Sequence, residues 1–302
     1  MQAPSFDQAA GSYGRAVGGE ISGDSVRRIT EGFGQGVAER RQREVEMVYD
    51  LQKGDESIIA VVDPIEGQGN ISTDGTMILI RGEGWKEVKL TVVSRCEVLG
   101  SETGRRVALS AHSCQAGLWD ADMMARYQYL EGLRRGVMGC ERLSSVNDAA
   151  SWIARITQDN FPQATFIIDW PHAKGRLWQA AQSLFGEGTE AAQRWAAAQT
   201  DLLWHSQGAR VVSALEGFPH REEARRARGY FADHLQQMDY ARYRRQGYPI
   251  GSGTVESGGK NYVQRRMKRS GRGWSRDTGQ AMLSALSEFH SGRFDLAWQQ
   301  CA

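Results

Sequence analysis

Three acidic residues stand where a carboxylate costs stability unless something satisfies it. Asp74 interrupts the otherwise strand-like run STDGTMILI, and an acid in mid-strand needs a metal, a base or solvent as partner. Asp148 follows the strand-like segment CERLSSVND and precedes the helical AASWIARI, so it emerges at the carboxyl edge of a strand, where α/β sheets assemble their sites. It also suits a helix N-cap. Glu256 lies in GYPIGSGTVESGGK, where glycines permit tight turns before a helix; pairing with Lys260, four residues on, is its plainer role. Three carboxylates from separate parts of one fold are the oxygen donors that two Mg²⁺ ions need, or Mn²⁺ in their place. The chemistry of such a site is in-line phosphoryl displacement.

The elements that must bring these acids together follow from pattern. The segments ISTDGTMILIRG, WKEVKLTVVSRCEVL and GRRVALSAHSC are β-rich and separated by glycine-containing turns, as in an antiparallel meander. LWDADMMARYQYLEGLRRG then carries apolar residues at steps of three and four, which predicts a helix. A fourth strand, the helix AASWIARITQDN and the buried strand ATFIID, ending at Asp169, complete the order β-β-β-α-β-α-β. That order predicts a mixed sheet flanked by helices, with the fourth strand beside the first and Asp148 therefore near Asp74. Residues 176–246 read as an α-helical insertion. Residues 1–55 read as two helices about a turn, a helix-turn-helix outline with Arg27 and Arg28 near the start of its second helix, where DNA contacts would fall. The catalytic core then occupies 56–175, opening on an extended linker from Gly54 to Asn70, and resumes at 247–302.

Charge is concentrated locally. The 302 residues carry a net charge of only +1, so a nucleic-acid enzyme must gather its basic groups in one place. Arg265, Arg266, Lys268 and Arg269 lie just after Glu256 in RRMKRSGRGWSR, where they would neutralise phosphates of a DNA end. Lys260 belongs to the same surface, and Trp274 within it could stack on an exposed base, as could Trp170 beside Asp169. For most other tryptophans core packing is the expectation. The cysteines, Cys96, Cys114, Cys140 and Cys301, form no CxxC pair, which argues against a zinc ribbon or disulfide framework. No apolar run approaches a membrane span, and the start MQAPSFDQAAGSYGR lacks the regions of a secretory signal, so a cytoplasmic protein is expected.

The strings DGT at Asp74, DWPH from Asp169 to His172, and GYPIGSGTVES followed by VQRRMKRSGRGWS resemble the transposases of bacterial insertion sequences of the ISKra group, relatives of the Mutator-like elements. The resemblance runs from about Phe6 to Phe289, and its last string is the most specific. It implies an RNase H-like core and a DDE triad of Asp74, Asp148 and Glu256. It also implies an accessory pair, Asp169 and His172, with Asp169 a rival for the second metal acid. The implied activity is metal-dependent cleavage at transposon ends and strand transfer to target DNA, by an oligomer assembled on double-stranded DNA. Family members resemble GDGA around the second acid, where this chain has NDAA. That departure motivates the alternative of a catalytically inactive DNA-binding relic or repressor.

Overall fold

The computed structural model describes all residues except 1, 2, 4, 51–55, 101–105, 269–272 and 302. Two helices open the chain, α1 (Phe6–Val17) and α2 (Gly23–Val45), each started by a serine whose hydroxyl accepts a backbone N–H of the first turn: Ser5 from Gln8 and Ser22 from Ser25. Three strands follow, β1 (Gln68–Ile80), β2 (Gly84–Leu99) and β3 (Arg106–Gly117), paired antiparallel in sequence. The expected linker from Gly54 to Asn70 is shorter than read, because β1 already begins at Gln68. Gly82 and Gly84, both at positive φ, make the tight turn between β1 and β2.

After α3 (Ala121–Arg134), the chain enters β4 (Arg142–Asn147), α4 (Ser151–Asn160), β5 (Thr165–Ile168) and α5 (Trp170–Phe185). β4 pairs parallel with β1, and β5 parallel with β4, giving one five-stranded sheet in the order β3-β2-β1-β4-β5. The protein is therefore α/β, a mixed sheet flanked by helices in an RNase H-like arrangement. No helix among the described residues is long and apolar enough to cross a membrane.

Alternation along the strands divides the core between the two faces of the sheet. Ile78, Val88, Leu90 and Val92 pack with Met282, Leu283 and Leu286 of α12 (Arg276–His290), whereas Ile71, Val93 and Leu143 pack with Phe161 on the opposite side. Helices α6 (Glu190–Trp204), α7 (Gly208–Glu216), α8 (Glu222–Asp233) and α9 (Tyr240–Gln246) form the insertion. Their core is not separate from the sheet, for Phe231, Tyr240 and Tyr243 share one cluster with Val146 of β4 and with Ile167 and Ile168 of β5. Full burial of each such side chain stabilises by about 1.5–3 kcal/mol.

Helix α2 lies along α12. Gly34 allows this approach, since a Cβ there would land on the backbone carbonyl of Ala281. Beneath the contact is a buried ionic network. Arg41 of α2 donates to Glu288 of α12, and Arg293 donates from Nε to Glu288 and from both terminal nitrogens to Glu131 of α3. Buried charges of this kind are tolerated only when paired and hydrogen-bonded. The second helix of the expected helix-turn-helix is thus a packed element of the core along one face. Arg27 and Arg28 remain on its surface and are ion-paired to Asp24, Arg27 also to Glu31.

Candidate active site

The pairing of parallel strands aligns the acids. Gln68, Gly69 and Asn70 of β1 sit opposite Arg142, Leu143 and Ser144 of β4; Ser144 through Asn147 sit opposite Thr165 through Ile168 of β5. Carried four residues past the last β1–β4 pair, this register sets Asp148 level with Asp74, and one residue past the last β4–β5 pair it sets Asp169 level with Asp148. β1 runs on past its neighbours, which is why Asp74 is mid-strand while the other two acids begin loops. Asn147 fixes the level: its Oδ1 accepts the Thr73 N–H at 2.5 Å and its amide donates to Ser145 Oγ at 2.7 Å. The asparagine of NDAA is therefore a buried staple between β1 and β4.

Asp148 does not cap α4. Its Oδ1 accepts the Ala150 N–H at 3.0 Å in a local turn, and the residue that precedes the helix, Ala150, has no side-chain cap. Its carboxylate is half-buried and keeps unused acceptor capacity. Asp169 differs. It has no solvent exposure, it caps α5 by accepting the His172 N–H on Oδ2 at 2.8 Å, and the same oxygen meets His172 Nδ1 at 2.7 Å. Its other oxygen accepts the Ser252 N–H. Burial alone would raise the Asp169 pKa, but these hydrogen bonds from His172 and Ser252 outweigh it and hold it below the usual carboxylate range.

Glu256 is in the first turn of the short helix α10 (Gly253–Gly258), on the helix after the insertion where the resemblance set it. Loop 248–254 is tied to the sheet edge twice, by Trp170 N–H to Ile250 O at 2.8 Å and by Ser252 N–H to Asp169. Ser252 Oγ then donates to Glu256 Oε1 at 3.2 Å. His172 Nδ1 is 3.8 Å from the same oxygen. Asp169, His172 and Glu256 thereby bring one potential ligand atom each within 4.8 Å of one another. Ser252 was missed in the sequence, although its position four residues before Glu256 is the spacing at which two side chains meet on one helical face.

The electrostatics join Asp74 to this group. Burial pushes its carboxyl up to about 6; the Gly75 N–H at 2.7 Å opposes this, the charges of Asp148 and Glu256 add to it, and His172 acts against them. His172 is in turn raised, first by its hydrogen bond to Asp169 and then by the charges of Asp169, Glu256 and Asp148. A buried carboxyl raised by burial and by neighbouring acids is an arrangement that a bound cation would relieve. All-oxygen donors suit Mg²⁺ or Mn²⁺.

The basic residues are distributed less simply than the sequence suggests. After α10 a π-helical turn, Gly259–Gln264, leads into α11 (Arg265–Met267). Lys260, Arg265 and Lys268 are exposed. Arg266 is buried, its guanidinium stacked 4.3 Å from the Phe6 ring and 5.1 Å from that of Trp274, so it is an internal packing group more than a phosphate contact. Arg269 lies outside the described residues. Trp274 is a staple: its Nε1–H donates to Met267 O at 3.0 Å and its backbone bonds Leu79 and Arg81 at the end of β1. Trp170 packs against Trp204 and Tyr240. Comparison with protein-family models and with curated protein sequences gave no match for this chain.

Proposed function

We propose that the protein is a DNA transposase that cleaves DNA at transposon ends and joins the freed 3′-hydroxyl to target DNA. The observation that carries this reading is the alignment of Asp74 and Asp148 on adjacent parallel strands of an RNase H-like sheet, with Glu256 brought to them by a separately anchored loop. Asp74, Asp148 and Glu256 would hold the metal ions. When bound, a pair of divalent ions supplies activation of the attacking oxygen and stabilisation of the leaving oxygen.

The chain's own groups divide the remaining work. Strand order favours Asp148 over Asp169 as the second acid, since β4 is the strand beside Asp74 and both oxygens of Asp169 are already engaged. Asp169 is then a positioning residue, which orients His172 and holds the loop that carries Glu256. His172, with its pKa raised, keeps a proton among the carboxylates and lowers their mutual repulsion. Lys260, Arg265 and Lys268 follow Glu256 on exposed positions suited to phosphates of double-stranded DNA. The reading also implies an oligomer on DNA, in the bacterial cytoplasm, acting on terminal repeats and target DNA.

The test is a strand-transfer assay with purified protein, terminal-repeat DNA and Mg²⁺. Asp74→Ala and Glu256→Ala should abolish both cleavage and joining. Normal activity in either variant would sink the proposal. An inactive DNA-binding relic, the reading motivated by NDAA, predicts instead a wild-type protein that binds the same DNA and never cuts it.

A further inference from the structure

The segment 248–254, a loop running into the start of α10, has a second side. Its Ile250 carbonyl and Ser252 N–H bond Trp170 and Asp169, and its residues from Tyr248 to Thr254, Ser252 apart, form a wall of an open cleft of about 620 Å³. Arg106 at the start of β3, Trp204 at the end of α6 and Arg244 of α9 complete that cleft, and no acidic residue among the described ones lines it. Arg244 lies 3.6 Å over the Trp204 ring and donates from Nη2 to the Trp204 carbonyl at 3.0 Å. Its Nε is buried and finds no hydrogen-bond acceptor among the described residues. Neither Arg106 nor Arg244 makes an ion pair with any described residue.

Arg41, Arg134, Arg135 and Arg293, all buried, each face a carboxylate, whereas the half-buried Arg244 faces none among the described residues. A guanidinium held rigid on an indole, with a buried N–H unsatisfied and a second arginine across the cleft, lacks only an anion. Planar donors of this kind match phosphate oxygens. Because the cleft and the acid centre share one loop as a wall, a strand crossing the acids carries its next phosphates toward Arg106 and Arg244, at one phosphate per ~3.4 Å of rise.

We infer that this cleft takes a phosphodiester of the DNA strand that runs past the acid centre, with Arg106 and Arg244 as its ligands. The inference rests on the DNA reading given above. It adds a binding site remote in sequence from the basic segment after Glu256, and it places the helical insertion, through α6 and α9, in contact with substrate.

The experiment is a salt titration of binding to a short DNA duplex in Ca²⁺ or EDTA, where no cleavage intervenes. It uses wild type, Arg106→Gln, Arg244→Gln and a control, Arg194→Gln, an exposed α6 arginine paired with Glu190. Each cleft variant should lower the slope of log K against log salt by about 1 and weaken binding roughly three- to tenfold at fixed salt, while the control matches wild type. Arg106 is exposed, so its variant reads the cleft even if Arg244→Gln fails to fold. A parallel thermal scan with inorganic phosphate should raise the wild-type midpoint and leave that of the Arg106→Gln protein unmoved. Unchanged slopes, or a control that behaves like the cleft variants, would overturn the inference. Phosphate protection without a slope change would assign the cleft to a free anion and overturn the DNA assignment. Expected slopes in a protein that never cuts DNA would leave the cleft standing and remove the transposase reading.

Discussion

Replacing Asp74 by Asn should make the metal-free protein more stable while destroying its proposed activity. The native environment moves the Asp74 carboxyl from 3.8 to about 6, chiefly by burial, with Asp148 and Glu256 adding to it. Each unit corresponds to ~1.4 kcal/mol, so the ceiling is ~3 kcal/mol; partial solvent access screens this to about 1–2 kcal/mol. Asn keeps the shape and the acceptor for the Gly75 N–H and removes the charge. For a chain of this size the unfolding midpoint should rise by about 2–4 °C. The pH dependence fixes the cause. A carboxyl whose folded pKa is raised is harmless where it is protonated in both states, so the two proteins should be equally stable below about pH 3. The wild type should then fall behind as pH rises from about 4 to about 6, and the gap should be full near pH ~7.5. Added Mg²⁺ should reverse the order, because a ligand bound only by the native state at a hundred times its Kd contributes about 2.7 kcal/mol. Thermal unfolding at the two pH values, with EDTA or Mg²⁺, reads all of this. A variant less stable than wild type at about pH 7.5 in EDTA, or a gap independent of pH, would refute the electrostatic account of the site.

Asp148→Asn and Asp169→Ala should separate chemistry from support. The first should leave urea unfolding within about 0.5 kcal/mol of wild type and abolish cleavage, and the second should cost about 2–4 kcal/mol by stranding the Ser252 and His172 N–H groups. Arg293→Met should destabilise by about 3–5 kcal/mol in the same assay, since Glu131 and Glu288 then stay buried without their shared cation. Gly34→Ala should cost at least about 1–3 kcal/mol by forcing α2 off the Ala281 carbonyl, read as a lowered midpoint in thermal unfolding.

The sheet was legible because its first three strands are β-rich runs separated by glycine-containing turns, and the acid in β1 was legible because it breaks an apolar run. The choice between Asp148 and Asp169 was not. Each follows a strand and precedes a helix, and only lateral strand order and the capture of Asp169 by Ser252 tell them apart; that partner lies far along the chain. The basic segment misled for a different reason. A π-helical turn over Gly259–Gln264 changes the angular step between residues, so a run that reads as a charged face on α-helical spacing turns Val263, Arg266 and Met267 inward. Arg41, Glu131, Glu288 and Arg293 carry no signal of their own in the sequence. Their pairing depends on packing that no local pattern encodes.

The same reasoning explains why the insertion is not a detachable appendage. Tyr240 of α9 is fully buried and donates to Ile168 O, at the end of the strand that delivers Asp169. Eight residues later the chain enters the loop whose Ile250 and Ser252 bond Trp170 and Asp169, and Ser252 in turn meets Glu256. Glu256 is thus located by a chain of contacts that begins in the core of the insertion. A deletion that joined α5 directly to residue 247 would keep every proposed metal ligand in the sequence. It would also expose Val146, Ile167 and Ile168, lose the Tyr240 anchor and leave the glutamate on a loop held at one end. The acids on β1 and β4 depend on strand register alone, whereas the third depends on the helices. A protein arranged this way should lose the proposed activity through damage to α9 with Asp74, Asp148 and Glu256 all intact.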